Sequence, residues 1–418
     1  MLPRAERPMS APLLSLCIPT FSRGRYLASL LASLCTELAD FPYSYEVFVS
    51  DNASTDDTAE VVRSFEGLLP IRYHRHATNA GAFANRQFAM SNCLGRYVMY
   101  IADDDALLGR QLADTIARME ADPQIAVVYA PWVLYDLVDE QSLGTFYSVP
   151  RDLLFERGQH LEMLDQLLRH RIFPEVQIVR RDVFERTMPR IYPHAFFAFV
   201  HAAEFLSAGR VLIQQEPYYV AITRYFADEV RTQAGTEEVE HAWDRYRGGL
   251  EYLLARTEGV RPDEMVGLHA RITAMIADRM AVAIRIRHAY GRDPVDTWTI
   301  AMRLRGMGYA HLCPVPFETL SAAASMHFLL HDTELHLGLT RMAAVGSFVG
   351  PVRDYIETNA SRPVAFVDTL EATATLSDTL LVLRDETELD DEPEQAQSMR
   401  ERNVRVVLER DVLERFRP

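Results

Sequence analysis

Three consecutive carboxylates close a short apolar run: from Arg96 to Leu108 the chain reads RYVMYIADDDALL. Tyr97 to Ala102 has the length and apolar content of a buried strand, and Asp103, Asp104 and Asp105 follow before a helical pattern resumes. A strand therefore delivers acid to its own C-terminal end. In open α/β sheets that edge is where ligands bind, because the loops leave a crevice there. Three carboxylates crowded on one loop repel each other unless a cation sits among them, and hard oxygen donors of this kind suit magnesium or manganese. The triplet points to a metal-diphosphate site, with a solvated acidic loop as the alternative.

The preceding hundred residues repeat the same grammar. Leu13 to Ile18 is strand-like and is closed by Pro19, Thr20 and Phe21; Tyr26, Leu27, Leu30, Leu31 and Leu34 then recur at helical spacing. Tyr45 to Val49 reads as a second strand and Ser50 to Asp57 as a polar turn, with Ser54 or Thr55 available to cap the next helix. Ile71 to His74 is a third strand, and Asn79, Ala80 and Gly81 turn into a helix from Phe83 to Ser91. Strands alternating with helices imply a mainly parallel sheet with right-handed crossovers. Thr20, Asp51, Asn79 and Asp103 then each fall just beyond a strand end. Asp51 is suited to accept hydrogen bonds from a base or ribose, and Asn79 and Arg86 to reach sugar or phosphate.

Composition removes several classes. The net charge of −16 opposes a general nucleic-acid binder, which needs a basic surface. All 43 basic residues are arginine, so mechanisms built on a lysine, such as a P-loop or a pyridoxal Schiff base, are excluded. Cys17, Cys35, Cys93 and Cys313 lie far apart, which supports neither a zinc nor a redox motif and suits a reducing compartment. The opening MLPRAERPMSAPLL lacks a leader-like apolar region, and no run of about 18 apolar residues occurs. A cytoplasmic, non-spanning protein is expected, with peripheral contact to the inner membrane face left open.

CIPTFSRGRYL, VFVSDNASTDDT, NAGAFANR and YVMYIADDDALL, in this order and spacing, resemble the nucleotide-binding half of glycosyltransferase family 2. The resemblance covers roughly residues 12 to 224. It implies a GT-A fold, a nucleotide-sugar donor, UDP- or dTDP-linked, and Mn2+ or Mg2+ on a DXD motif. Pro19 and Thr20 would line the nucleotide pocket, Asp51 would meet the base, and Asp103 and Asp105 would hold the metal and diphosphate. Phe21, Arg25, Asn79, Gly81, Arg86 and Asp104 join the implied donor contacts. Many members carry Ala-Arg-Asn after the Asn-x-Gly turn, whereas Asn85, Arg86 and Gln87 stand here. SDNASTD and YPH bear a looser likeness to enzymes that transfer deoxy sugars onto surface polysaccharides.

Beyond the triplet, Gln111 to Met119 reads as a helix, Ile125 to Tyr129 as a strand, Gly144 to Val149 as an edge or hairpin strand, Gln159 to His170 as an amphipathic helix and Glu175 to Val179 as a strand. Trp132, Tyr135, Phe146 and Tyr147 can stack on sugar faces or pack inward. Transfer to a hydroxyl needs a base opposite the leaving group, in the family usually an Asp or Glu, often within a Glu-Asp pair. RIYPHAFFAFVHAAEFLSAGRVLI lacks that pair. His194 is the first candidate base, Glu204 the second and His201 the third, since spacings of seven and three bring them onto one helical face; packing or solvation is the alternative for each. Glu216, Pro217 and Tyr218 lead into a closing strand, VAITRYF, whose Arg224 and Tyr225 reverse the family's frequent Tyr-Arg. Ala227 to Thr236 is suited to a lid.

From Glu237 to about Leu330 the pattern is helical, with packing or homodimerisation favoured over a membrane surface. MAAVG, PVAFVD, TLLVL and VRVVL are short strand-like runs of a small Rossmann-like domain. Gly346, Gly350 and Asp368 lie where a nucleotide loop and a ribose-binding acid would, without the full glycine pattern, so a structural or partner-binding appendage is preferred. Asp385 to Glu394 reads as a solvated acidic loop. The expected organisation is thus a GT-A α/β catalytic domain (1–236), a helical region (237–335) and a Rossmann-like α/β domain (336–418). The expected activity is metal-dependent, inverting transfer of a sugar to a hydroxyl of a glycan, lipid-linked saccharide or small molecule. A sugar nucleotidyltransferase is the alternative enzyme, though Ile18 to Arg25 contains only Gly24 where it needs a Gly-rich loop; a non-catalytic nucleotide- or glycan-binding subunit is the other.

Overall fold

The computed structural model describes residues 11–187, 194–227, 239–346, 350–383 and 393–418. The chain forms two compact units, Met1–Thr236 with Ala242–Ile276, and Glu237–His241 with Ala277–Pro418.

The first unit begins β1 (Leu14–Thr20), α1 (Gly24–Glu37), β2 (Tyr45–Asp51), α2 (Thr58–Phe65), β3 (Ile71–Arg75), α3 (Ala82–Ser91) and β4 (Tyr97–Tyr100). These follow the expected alternation closely, because each apolar run is short and ends in turn-forming residues. Leu27, Leu30, Leu31 and Leu34 of α1 are all buried, as their helical spacing requires. Next come β5 (Ala106–Leu107), α4 (Gly109–Ala121), β6 (Ile125–Tyr129), β7 (Trp132–Asp136), β8 (Gln141–Thr145), β9 (Leu153–Phe155) and α5 (His160–His170). The unit continues with β10 (Gln177–Arg180), α6 (Arg181–Thr187), α7 (Phe197–Ala208), β11 (Arg210–Ile213), β12 (Tyr219–Arg224) and α8 (Trp243–Ala255).

Eight strands form one sheet in the order β3-β2-β1-β4-β10-β6-β11-β9. β1 to β4 pair in parallel, whereas β10 runs antiparallel to both β4 and β6. That reversal matters for the site, since it brings the start of β10 to the edge where β4 and β6 end. A second sheet, β5-β12-β7-β8, lies beyond this edge. Its hairpin strand is Gln141–Thr145 rather than the expected 144–149. Gly144 takes φ +92°, and Phe146 leaves the strand to stack on Trp132 with ring centres 4.4 Å apart. The helical region expected at 237–335 is not a unit of its own, because α8 packs against α7 in the first unit: Tyr246 meets Phe173 and Phe196 at 5.1 and 4.8 Å. A Cβ at Gly248 would stand 2.1 Å from the His194 carbonyl oxygen, so only glycine permits that approach.

Of α9 (Pro262–Ala289), the part up to Ile276 belongs to the first unit; the second takes the rest, then α10 (Pro294–Gly306) and α11 (Phe317–His331), followed by a parallel sheet. Its strands β13 (Arg341–Val345), β14 (Val364–Val367), β15 (Thr379–Leu383) and β16 (Val404–Leu408) lie in the order β14-β13-β15-β16. Alternate residues serve opposite faces, Met342, Leu380 and Val382 packing in one cluster and Ala343, Val345, Leu381 and Leu383 in another. Gly346 ends β13 with φ +99°, and Asp368 follows β14. The residues between Gly346 and Gly350, and most of the acidic stretch 385–394, lie outside the described residues. No helix among the described residues is long and apolar enough to cross a membrane.

At the edge opposite the acidic loop, Glu46 of β2 cross-links three strands. Its carboxylate accepts from Ser15 Oγ–H at 2.6 Å, the Leu94 N–H at 2.6 Å and Arg72 Nε–H at 3.0 Å. Burial pulls this carboxyl upward, but those donors and the Arg72 charge outweigh it and hold it below the ordinary glutamate value. The stabilisation is therefore complete above the unfolded value of about 4.3 and is lost as the pH falls through the depressed folded value. In urea melts, Glu46→Gln is expected to cost stability at neutral pH and to lose less than the wild type on acidification. Equal acid sensitivity in both proteins would show that Glu46 is not a source of it.

Candidate active site

Parallel pairing sets Thr20 opposite Asp51 at the C-terminal ends of β1 and β2, and β4 releases the acidic loop beside them. The structure thus gathers Thr20, Asp51, Asn79 and Asp103 on one edge. Thr20 Oγ1–H donates to Asp103 Oδ2 at 2.7 Å. Arg23, which the sequence reading passed over in favour of Arg25, bridges the first two carboxylates. Its Nε lies 3.0 Å from Asp103 Oδ1 without the alignment of a hydrogen bond, and its Nη2 meets Asp104. Burial alone would lower this guanidinium, but Asp103 and Asp104 more than reverse that and raise it above its ordinary value. Asp105 turns the other way: it accepts from Tyr219 Oη–H at 2.7 Å and from the Ile222 N–H at 3.0 Å, both in β12. The Tyr219 hydroxyl also accepts from the Ala102 N–H at 3.1 Å. Burial first, and then Asp105, push its phenol well up, which keeps it protonated as a donor.

Two loops from β1 and β2 interlock over the same edge. The Ser22 N–H donates to Ser54 Oγ at 2.8 Å, and the Gly24 N–H to Asp56 Oδ2 at 2.9 Å. Ser22 and Ala53 both adopt positive φ, +50° and +66°, an uncommon conformation for residues with a Cβ. Such strain is sustained where surrounding contacts over-determine the backbone, and it gathers at functional sites. Asp51 is fully buried and accepts from the Ser54 N–H at 2.8 Å and Tyr73 Oη–H at 2.5 Å, with Arg75 Nε at 3.6 Å. Its carboxylate builds the turn; a contact to a base would require it to exchange one of these partners.

Asn79 accepts from Asn52 Nδ2–H and the Gly81 N–H, each at 2.8 Å, while Gly81 enters α3 with φ +90°. Asn85 is a junction. It accepts from Ser50 Oγ–H at 2.6 Å and donates to the Ser50 and Thr20 carbonyls at 2.8 and 3.3 Å. Arg86 lies between two rings, 4.3 Å from the centre of Tyr100 and 4.5 Å from that of Phe197. Burial lowers its guanidinium, against the opposing pull of Tyr100, Glu175 and Tyr219. Arg25 covers Phe226 at 3.2 Å, and Phe21 is exposed. Pro19 stands opposite Ser50 in the β1–β2 pair. Tyr225 packs edge-on against Tyr26 at 5.0 Å, joining the end of β12 to α1. The proposed lid lies almost wholly outside the described residues.

One expectation needs correction. His194, His201 and Glu204 do not share a helical face, because α7 starts only at Phe197 and His194 occupies an exposed turn before it. His201 is buried beside Phe197 and Phe205, and Glu204 accepts a 2.6 Å hydrogen bond from Tyr252 of α8. Asp103 and Asp105 have different partners. Their oxygens suit a hard ion, yet Arg23 occupies the first pair and β12 engages the third. Among the described residues no three His, Cys, Asp or Glu groups are placed to hold a metal.

A mixed α/β sheet with an acidic loop at the C-terminal end of β4 is what this fold defines. Residues 15–187 match the family model described as glycosyl transferase family 2. Its curated relatives include the abequosyltransferase RfbV of Salmonella typhimurium, 38% identical over 103 residues, which is 24% of this chain and 31% of the relative. Poly(ribitol-phosphate) β-N-acetylglucosaminyltransferase TarS of Staphylococcus aureus is 31% identical over 108 residues, 25% of this chain and 18% of TarS. The chain thus spans less than a third of the length of either relative. A solved fragment of S. aureus TarS in complex with UDP-GlcNAc aligns over 72% of this chain and 90% of its own, with a TM-score of 0.43 and 16% identity.

Because Arg23 already sits between two of the carboxylates, manganese added alone is expected to leave the melting temperature unchanged. Arg23→Gln is expected to cost about 1–3 kcal/mol, since it strands two neighbouring charges. Thermal denaturation measures both, and stabilisation of the wild type by manganese alone would show that the loop opens readily to an ion.

Proposed function

We propose that the chain transfers a glycosyl group from a nucleotide-sugar donor to an acceptor hydroxyl with inversion at the anomeric carbon. One observation carries this reading: in the stretch that matches family 2, Thr20, the strained 51–54 turn, Asn79 and the acidic loop converge on the edge where open α/β sheets bind ligands. The donor's nucleoside would lie across the β1 and β2 ends, near Pro19, Thr20, Phe21 and Asp51. Its diphosphate would lie towards the acidic loop, within reach of Arg23 and Arg25.

Charge decides how this edge works. Thr20 and Arg23 hold Asp103 and Asp104 in place, so their orientation need not be established when the donor arrives. Asp103 and Asp105 carry the hard oxygen donors that would hold Mn2+ or Mg2+ beside the diphosphate, with Arg23 giving up its place on Asp103 to the ion. UDP- or dTDP-linked sugars are the first donors to test. A glycan, a lipid-linked saccharide or a small molecule would supply the hydroxyl, a chemistry that fits a role in polysaccharide biosynthesis at the cytoplasmic face of a membrane.

A ligand that binds only the folded state stabilises it by mass action, by about 2.7 kcal/mol at a hundred times its dissociation constant. Among UDP, dTDP, GDP and CDP, one is therefore expected to raise the melting temperature clearly above the others. Asp103→Asn is expected to weaken that shift. Identical behaviour with all four and with buffer would overturn the donor reading.

A further inference from the structure

The sequence candidates are scattered: His201 is buried, Glu204 accepts from Tyr252 and His194 lies on an exposed turn before α7. A different carboxylate stands at the right edge. β10 pairs antiparallel with β4, Ile178 opposite Met99, and with β6, Gln177 opposite Tyr129. The Ala130 N–H donates to the Val176 carbonyl at 3.2 Å, which continues the β6 pairing one residue beyond the strand. Following the same register, Glu175 comes level with Ala102, the residue before the acidic triplet, about 5 Å away at ordinary strand spacing.

Its side of the edge also fits. Asp103 is tied towards β1 through Thr20 and Arg23, so the diphosphate side faces β1. Sheet order then places Glu175 across β4, on the β10 and β6 side. An inverting displacement requires that separation, with leaving group and base on opposite faces of the sugar. Glu175 is half-buried. Arg86 and Tyr147 both feel its charge, and Arg86 is itself held between Tyr100 and Phe197. The chain just before β10 is anchored by buried rings, Phe173 lying edge-on at 6.0 Å to Phe146, which stacks on Trp132.

We propose that Glu175 is the general base that takes the proton from the acceptor hydroxyl, on the side of β4 away from the donor diphosphate. This rests on the glycosyltransferase reading above. In the step, the acceptor O–H bond breaks and its proton passes to a Glu175 carboxylate oxygen. The acceptor oxygen forms the new bond to the anomeric carbon. The bond from that carbon to the diphosphate oxygen breaks, and its electron pair leaves with the nucleoside diphosphate.

The test compares the full-length wild type with Glu175→Gln and Glu175→Asp. UDP-glucose, UDP-GlcNAc, dTDP-glucose, GDP-mannose and CDP-glucose are the probes, with release of nucleoside diphosphate as the readout and water or added sugar as acceptor. Glu175→Gln is expected to lower kcat by about a hundred- to ten-thousand-fold, the usual worth of general base catalysis. Donor KM and the nucleoside diphosphate thermal shift should stay within about twofold, and Glu175→Asp should retain more activity than Glu175→Gln. Turnover by Glu175→Gln near the wild-type rate overturns this assignment and leaves the transferase reading intact. Loss of the thermal shift together with kcat also overturns it, since Glu175 would then be a structural group. A wild type that neither binds nor turns over any probe overturns the transferase reading and this assignment with it.

Discussion

Mutual repulsion of Asp103, Asp104 and Asp105 is the constraint around which the first unit is arranged. Three adjacent carboxylates on a partly buried loop are tolerable only if each finds a donor. Thr20 and Arg23 answer the first two from β1 and the start of α1, and Tyr219 and the Ile222 amide answer the third from β12. The loop is thereby stitched to both sheets, and its orientation is built into the fold before any ligand arrives. Tyr219 has a double role, since its hydroxyl also receives the Ala102 N–H, so the last strand of the domain holds both ends of the acidic turn.

The reversed strand β10 has a comparable consequence. An all-parallel sheet would place every strand start at the far edge, away from the ligands. Inserting one antiparallel strand between β4 and β6 brings residues that precede it to the ligand edge. Glu175 arrives there for that reason alone, in company with Arg86, whose position between Tyr100 and Phe197 links α3, β4 and α7. The Thr20 and Arg23 side of the edge is polar and charge-paired, and the opposite side carries a carboxylate near buried aromatic rings.

Much of this domain was readable from residue order. The strands around Cys17, Phe48 and Met99, and the positions of Thr20, Asp51 and Asp103 at their ends, follow from short apolar runs closed by turn residues. The partners of those groups were less readable. Arg23 and Arg25 are two residues apart and chemically identical, and only the turn of α1 decides that Arg23 meets the acids while Arg25 covers Phe226. Asn85 looked like a departure from a pattern, but it ties three strand and helix ends together. The spacing of His194, His201 and Glu204 suggested one face, and that inference failed because spacing carries no information about where a helix starts.

By itself the sequence determined the alternation of strands and helices, the polar residues that end each strand, and the absence of lysine chemistry, because periodicity and composition are properties of the chain. Only tertiary structure decided which way β10 runs, what each aspartate pairs with and which carboxylate precedes β10 at the end of β4. Those outcomes depend on contacts between residues far apart in the chain, such as Asp105 and Tyr219, 114 positions apart. Packing of the whole sheet selects such pairs, and no local pattern encodes them.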